Sequence, residues 1–163
     1  MTVSISTDYR HATIGPGSLA VRLALTALFL HWIWEIAHGG AYVETDVPFV
    51  QRLWHCVPMA VVDTAWSGAI VAFGLLVARA TRHPVAACSL ALAAGAVSAV
   101  VVERLALDAA RWTYNTRMPL IPLLGTGLWP VLQMIILPPL AFAYASRFRR
   151  ADRRDAAAAA PSE

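Results

Sequence analysis

Apolar residues fall into four long segments along the chain, and most of the charged residues lie outside these segments, in the loops and the two tails. The segments cover residues 18–39, 57–80, 84–107 and 127–146. Each is close to the ~20 residues that an α-helix needs to cross a hydrocarbon core ~30 Å thick. Their apolar positions do not alternate with period two, as the strands of a membrane barrel would. The pattern therefore predicts four transmembrane helices.

The composition points the same way. Of the 163 residues, 58% are hydrophobic and only 14% are charged, whereas about a quarter of the residues of a soluble domain are charged. A soluble domain and a disordered chain are both excluded on this basis. The net charge of +3 comes from thirteen basic residues. All are arginines, and five of them follow the fourth segment: Arg147, Arg149, Arg150, Arg153 and Arg154. Such a cluster is typical of a segment that sets topology or contacts anionic lipid, and we expect no nucleic acid partner.

The arginines also predict an orientation. With four spans, the two termini and the second loop share one side of the membrane, and nine of the thirteen arginines lie on that side. By the positive-inside rule both termini are cytoplasmic, and the expected location is the bacterial inner (plasma) membrane. The predicted fold is an all-α, integral membrane four-helix bundle over residues 18–146. Residues 1–17 are read as an N-terminal tail and residues 147–163 as a basic, Ala-rich disordered tail.

Each predicted helix brings a polar residue to the outer half of the membrane. Ionisable side chains inside spans are costly and usually face the bundle interior, where they mark a functional site. The first helix carries His31 and Glu35, the second Asp63, the third Glu103, and the fourth Gln133. Chance placement would scatter these residues in depth, so we expect them to form one pocket.

Helical periodicity groups further side chains with them. A step of ~100° per residue places three sets on a shared stripe or its neighbouring edge: His31, Glu35, His38 and Tyr42; Asp63, Trp66 and Ser67; and Thr126, Trp129 and Gln133. The third loop adds aromatic residues that form either a lid over the pocket or an interfacial belt. The candidate substrate-binding residues are Tyr42, Trp66, Trp112, Tyr114, Thr126, Trp129 and Gln133.

The chemistry of these residues is that of proton transfer. Carboxyl and imidazole groups in a pocket of low dielectric are suited to donating and accepting protons, and the candidate catalytic residues are Glu35, Asp63, Glu103 and His31. Aromatic faces stabilise a carbocation through cation–π attraction. The pattern favours an enzyme that protonates a C=C bond of a lipophilic substrate entering from the bilayer. This hypothesis requires no cofactor; membrane lipid is an expected partner, and a homo-oligomer remains open.

These motifs resemble those of a known family. His31-x-x-x-Glu35 on one span, Asp63 on the next and Thr126-Gly-Leu-Trp129 on the last resemble the emopamil-binding, sterol-isomerase (EXPERA-type) membrane domain. The resemblance implies that His31 and Glu35 handle protons, that Asp63 is a second acid, and that Trp129 stabilises a cation. Asp63 stands where that family has Glu, and Thr126 where it has Asn. The loop is also similar to that of small integral-membrane terpene and lycopene cyclases, whose Trp-x-Tyr and acidic residues correspond to Trp112, Tyr114 and Glu103. The resemblance implies isomerisation or cyclisation of an isoprenoid- or sterol-like lipid.

Three alternatives remain open. His31, Glu35 and His38, completed by Asp63, Glu103 and His55, have the residue types of a metal or haem site. Buried carboxylates also serve the proton relays of small proton-coupled transporters. Finally, the small residues around Gly95 and Ser98 permit close helix packing, as in a structural subunit with a partner.

Overall fold

The computed structural model describes residues 16–43 and 48–158, and within these it describes no side chain of residues 16–18 or 149–158. All the regular structure in this part of the chain is helical. The order is α1 (Pro16–His38), a short 3-10 turn (Gly39–Ala41), α2 (Phe49–Thr81), α3 (Pro84–Asp108) and α4 (Leu128–Ala158). The all-α prediction is therefore confirmed for the described residues.

Within residues 16–43 and 48–158, four helical segments are long and apolar enough to cross a membrane. They are Leu19–Ala41, Phe49–Thr81, Pro84–Asp108 and Leu128–Phe148. Large apolar side chains such as Leu25, Phe29 and Val97 are exposed on the outside of the bundle, where a membrane protein meets lipid. The predicted number of spans is thus found, and the chain has the architecture of a four-span integral membrane protein.

Two helices are longer than expected. The second begins at Phe49 rather than at residue 57, and its 33 residues include Pro58. Three polar residues, Gln51, Arg52 and His55, made residues 49–56 look like a loop, yet their remaining side chains are compatible with a helix. At ~1.5 Å per residue α2 is about 50 Å long, more than a hydrocarbon core requires. The fourth helix continues to Ala158, so residues 147–158 are helical rather than disordered, consistent with the high helix propensity of Ala and Arg. Residues 159–163 and the expected N-terminal tail up to residue 15 lie outside the described residues.

The helices pack in a ring. Each helix contacts its sequence neighbour, α4 closes on α1, and α2 and α4 also meet across the centre. A core cluster of Ile70, Ala99, Val131 and Met134 fills the centre. Helices α3 and α4 approach closely at Gly95, where an added Cβ would lie 2.6 Å from the carbonyl oxygen of Met134. Glycine at this position lets α3 and α4 pack with their backbones in contact.

The two longer loops are joined to each other at one end of the bundle, which we call the site end. The loop after α1 and the loop after α3 form an isolated antiparallel bridge between Tyr42 and Tyr114. The side-chain amide of Asn115 donates to the backbone carbonyls of Gly40 (2.9 Å) and Tyr42 (3.0 Å). These bonds fix the α3–α4 loop over the ends of α1 and α2. The loop therefore covers the site end, as the lid interpretation expected.

Candidate active site

The amide of Gln133 joins three helices near the site end. Its Nε2 atom lies 2.9 Å from Nδ1 of His31, 3.0 Å from Oε1 of Glu35 and 2.9 Å from Oδ2 of Asp63. Only 2% of Gln133 is exposed. Since Glu35 and His31 belong to α1, Asp63 to α2 and Gln133 to α4, this one amide fixes the relative rotation of three helices.

His31 lies behind this amide, away from open space. Its exposure is 0%, and its Nε2 atom lies 2.7 Å from Oγ of Ser67. When Nδ1 accepts a hydrogen bond from Gln133, the ring proton is on Nε2 and donates to Ser67. Both ring nitrogens are then engaged, so His31 positions Gln133 instead of facing a substrate.

Glu35 and Asp63 form a pair. Both accept from the Gln133 amide nitrogen, which lies 3.0 Å from Oε1 of Glu35 and 2.9 Å from Oδ2 of Asp63. Both carboxyl groups line the same cavity. Two carboxyl groups in this arrangement resemble the acid pairs that enzymes use to donate and accept protons.

Glu103 is held separately, by the α3–α4 loop. Its Oε2 atom accepts hydrogen bonds from the indole Nε1–H of Trp112 (3.3 Å) and from the hydroxyl of Tyr114. The Tyr114 oxygen in turn accepts from the backbone N–H of Gly127 at 2.9 Å. Burial, and next the hydrogen bond to Glu103, raise the pKa of Tyr114 above its ordinary value. Tyr114 therefore stays a neutral donor to Glu103.

A cavity of about 300 Å³ lies between these groups. It is at the lower end of the ~300–1,000 Å³ typical of small-molecule sites. Ten of its lining residues are polar or aromatic: Glu35, His38, Tyr42, Arg52, His55, Asp63, Glu103, Trp112, Thr113 and Gln133. The Tyr42 ring lies 5.6 Å from the His38 ring and 6.3 Å from the Trp112 ring, both edge-on. Burial, followed by the nearby Glu103, raises the pKa of Tyr42, so this side chain is a neutral part of the wall.

The structure thus brings together most of the residues that the sequence singled out. Glu35, Asp63 and Glu103 meet in one cavity, as their similar depths predicted, and Tyr42, Trp112 and Gln133 line it with them. Tyr114 lies one hydrogen bond further back, against Glu103. Whether these residues catalyse a reaction stays a prediction.

Besides Tyr114, four candidate residues do not line this cavity: His31, Trp66, Thr126 and Trp129. Trp66 is 42% exposed, and its indole donates to Ser98 on α3. It comes three residues after Asp63, about 60° away around the helix, which is enough to direct it towards α3 and the outside. Thr126 is fully buried, and among the described residues its hydroxyl has no hydrogen-bond partner.

Trp129 lies in a different place from the one expected. It lines a second cavity of about 360 Å³ with Trp34, Arg117 and His38. Trp129 is in the first turn of α4, where the helix end turns it outwards to 37% exposure. Trp129 therefore does not form the wall of the acidic cavity that the family resemblance implied.

His38 is the residue whose position the sequence reasoning undervalued, since it entered only as an alternative metal ligand. Its Nδ1–H donates to the carbonyl oxygen of Trp34 at 2.7 Å, and its Nε2 lies 4.0 Å from Oε2 of Glu35. A histidine with Nδ1 held in this way presents the lone pair of Nε2. The signal was present in the spacing, because His38 follows Glu35 by three residues on the same helix face.

The alternative metal site is not formed. Within residues 16–43 and 48–158, no three His, Cys, Asp or Glu side chains are arranged to hold a metal ion. In the hypothesised set, His31 contacts Ser67 and Gln133 through its two ring nitrogens. Metal ligands need free lone pairs that converge on one point, and this set does not provide them.

Comparisons with protein-family models, with curated proteins and with solved structures give no match for this chain. The role of the site is therefore inferred from its own chemistry: a buried set of acid–base groups in a four-span membrane bundle.

Proposed function

We propose that the protein is an integral membrane enzyme that isomerises or cyclises an isoprenoid- or sterol-like lipid by acid–base chemistry. The observation that carries the proposal is the convergence of Glu35, Asp63 and Glu103, from three different helices, on one cavity walled by Tyr42 and Trp112. Carboxyl groups inside a membrane span are too costly to serve as packing. An uncharged, lipophilic substrate is the class that reaches such a site from the bilayer.

The proposed reaction is balanced in protons. A carboxyl group of the site transfers its proton to one carbon of a C=C bond, whose π electrons form the new C–H bond and leave a carbocation. In isomerisation, loss of a proton from the neighbouring carbon to a basic group restores a C=C bond in a new place. In cyclisation, a second C=C bond attacks the cation before that loss. Nε2 of His38, 4.0 Å from Glu35, is placed to accept the proton and return it.

The surroundings support a cationic intermediate. The rings of Tyr42 and Trp112 line the cavity, and aromatic faces attract a cation by roughly 0.5–2 kcal/mol each. The resemblance of the His31, Glu35 and Asp63 pattern to the sterol-isomerase type of membrane domain points to the same chemistry.

The proposed location is the bacterial inner membrane, with both termini in the cytoplasm. The excess of arginine on the side of the termini supports this orientation. The site end of the bundle then lies in the outer half of the membrane.

The test compares carboxyl variants that keep side-chain size. Glu35→Gln, Asp63→Asn and Glu103→Gln are each expected to abolish turnover while folding stays near normal. Asp108→Asn is the matched control, because Asp108 is 65% exposed and pairs with Arg104 at 3.4 Å outside the cavity. Lipid mass spectrometry of membranes from cells with and without each variant provides the readout, because it detects a conversion whichever lipid is the substrate.

The expected result is a lipid conversion that depends on the wild-type protein, persists in Asp108→Asn and disappears in the three site variants. If the conversion persists in all three site variants, the pocket is structural and the proposal fails. It fails equally if the lipids of cells with and without the wild-type protein are the same.

A further inference from the structure

We infer that the resting site holds one proton between Glu35 and Asp63 and a separate, ionised carboxylate at Glu103. The pair is then the proton donor, and Glu103 is the anion that faces the developing cation. The role of the proton in a reaction rests on the proposed function. Its position between Glu35 and Asp63 does not.

The first step is a count of hydrogens around Gln133. A side-chain amide nitrogen carries two hydrogens, yet this one lies within 3.0 Å of three acceptor atoms, on His31, Glu35 and Asp63. Two ionised carboxylates would bring two negative charges to the same amide without enough donors. A proton on one carboxyl group supplies the missing donor.

The second step is the closeness of the two carboxyl groups. Oε1 of Glu35 and Oδ2 of Asp63 lie 3.0 Å and 2.9 Å from the same atom, Nε2 of Gln133, so these two oxygens are at most 5.9 Å apart. Two ionised carboxylates at such a distance repel each other inside a protein. One proton shared by the two groups removes this repulsion, as in the acid pairs of other enzymes.

The orientation of the amide does not alter this conclusion. The oxygen and nitrogen of a glutamine amide are interchangeable in shape. If the amide of Gln133 were turned, its oxygen would face the carboxyl oxygens of Glu35 and Asp63. Oxygen facing oxygen at about 3 Å also requires a proton between them. Both orientations thus place at least one proton on the pair.

Glu103 has the opposite environment. Indole Nε1–H is only a donor, so the contact with Trp112 makes Glu103 an acceptor. The Tyr114 oxygen already accepts from the N–H of Gly127, which leaves its hydroxyl hydrogen for Glu103. Two donors on one carboxylate oxygen favour the ionised form. The two donors of the α3–α4 loop therefore favour the ionised form of Glu103. The contacts among α1, α2 and α4 favour a proton on the pair of Glu35 and Asp63.

The remaining ionisable residues of the cavity wall are His38, Tyr42, Arg52, His55 and Cys56. The histidine nearest the pair is His38, whose Nε2 is 4.0 Å from Glu35, beyond the ~3.2 Å of a hydrogen bond. Its other nitrogen donates to the carbonyl of Trp34. The proton of the pair is thus shared by the two carboxyl groups, with His38 as the neighbour that can accept a proton from the substrate.

Infrared spectroscopy of the full chain in lipid vesicles tests the inference without a substrate. A protonated carboxyl group has a C=O stretching band that ionised carboxylates lack and that shifts in D2O. The wild-type protein is expected to show this band at pH 7. Glu35→Gln and Asp63→Asn are each expected to lose it, because the remaining carboxylate accepts from the new amide. Glu103→Gln and the exposed control Asp108→Asn are expected to keep it.

A second measurement does not depend on the folding of any variant. Wild-type protein labelled with ¹³C at the carboxyl carbons of either aspartate or glutamate is expected to shift the band in at least one labelled sample. Absence of the band in folded wild-type protein at pH 7 would overturn the inference. Loss of the band in Glu103→Gln, while Glu35→Gln and Asp63→Asn keep it, would also overturn it. The infrared measurement does not depend on turnover. If the band behaves as expected, the inference about the proton therefore holds even if no lipid is converted.

Discussion

Replacing Gly95 by alanine tests a close contact between α3 and α4. The added Cβ would lie 2.6 Å from the carbonyl oxygen of Met134, whereas C–H···O contacts are about 3.3 Å or longer. Helices α3 and α4 must therefore separate locally by about 0.7 Å. Overpacking of this kind costs about 1–3 kcal/mol of the free energy of unfolding. Because Gln133 precedes Met134, the same displacement moves the amide that holds the carboxyl pair.

Alanine also raises helix propensity, by about 1 kcal/mol relative to glycine, so a matched control is needed. Gly68 in α2 provides it, because an added Cβ there meets no atom within 4 Å. Gly68→Ala and Gly95→Ala gain the same stabilisation from helix propensity. The difference between their free energies of unfolding is therefore the steric cost at Gly95. We expect Gly95→Ala to be less stable than Gly68→Ala by about 1–3 kcal/mol.

The assay is unfolding in detergent micelles, followed by far-ultraviolet circular dichroism as a denaturing detergent is added. The free energy of unfolding is compared between the two variants and the wild-type protein. A difference below ~0.5 kcal/mol is the size of the effect of an ordinary surface substitution. It would show that α3 and α4 separate at this contact with little cost in free energy. The geometric reasoning would then be refuted.

Two further predictions concern the α3–α4 loop. Asn115→Ala removes two hydrogen bonds to backbone carbonyls of the α1–α2 loop, so limited proteolysis should cleave the α3–α4 loop several-fold faster than in the exposed control Thr116→Ala; equal rates would contradict this. Tyr114→Phe keeps the ring but leaves Glu103 without one of its donors, which costs about 1–3 kcal/mol. The same change at exposed Tyr144 should leave the free energy of unfolding within ~0.5 kcal/mol of wild type, and a similar loss at both tyrosines would refute the role of the hydroxyl.

The sequence predicts the parts of this protein that depend on local spacing. The apolar runs predict the four spans, and the spacing of His31, Glu35 and His38 predicts a polar stripe on α1. The similar depths of Glu35, Asp63 and Glu103 predict that the carboxyl groups meet. Each of these follows from the rise and rotation of a single helix, whatever its neighbours are.

What the sequence does not predict depends on how the helices are rotated against each other. A difference of a few tens of degrees decides whether Trp66 and Trp129 face the cavity or the outside, and this rotation is set by packing contacts such as that of Gly95. For the same reason His31 was expected to face a substrate but lies behind Gln133. The start of α2 was missed because Pro58 has the appearance of a helix boundary, although a proline is tolerated inside a membrane helix.

The position of the amide on α4 has a consequence for how the protein is made. The ribosome delivers α1, α2 and α3 to the membrane before α4, so Glu35 and Asp63 are inserted before the residue that holds them has been synthesised. Until Gln133 arrives, the first three helices contain a polar face without its partner, which is unfavourable in lipid. Docking of α4 is therefore the step that gives Glu35 and Asp63 their shared hydrogen-bond partner and completes the bundle.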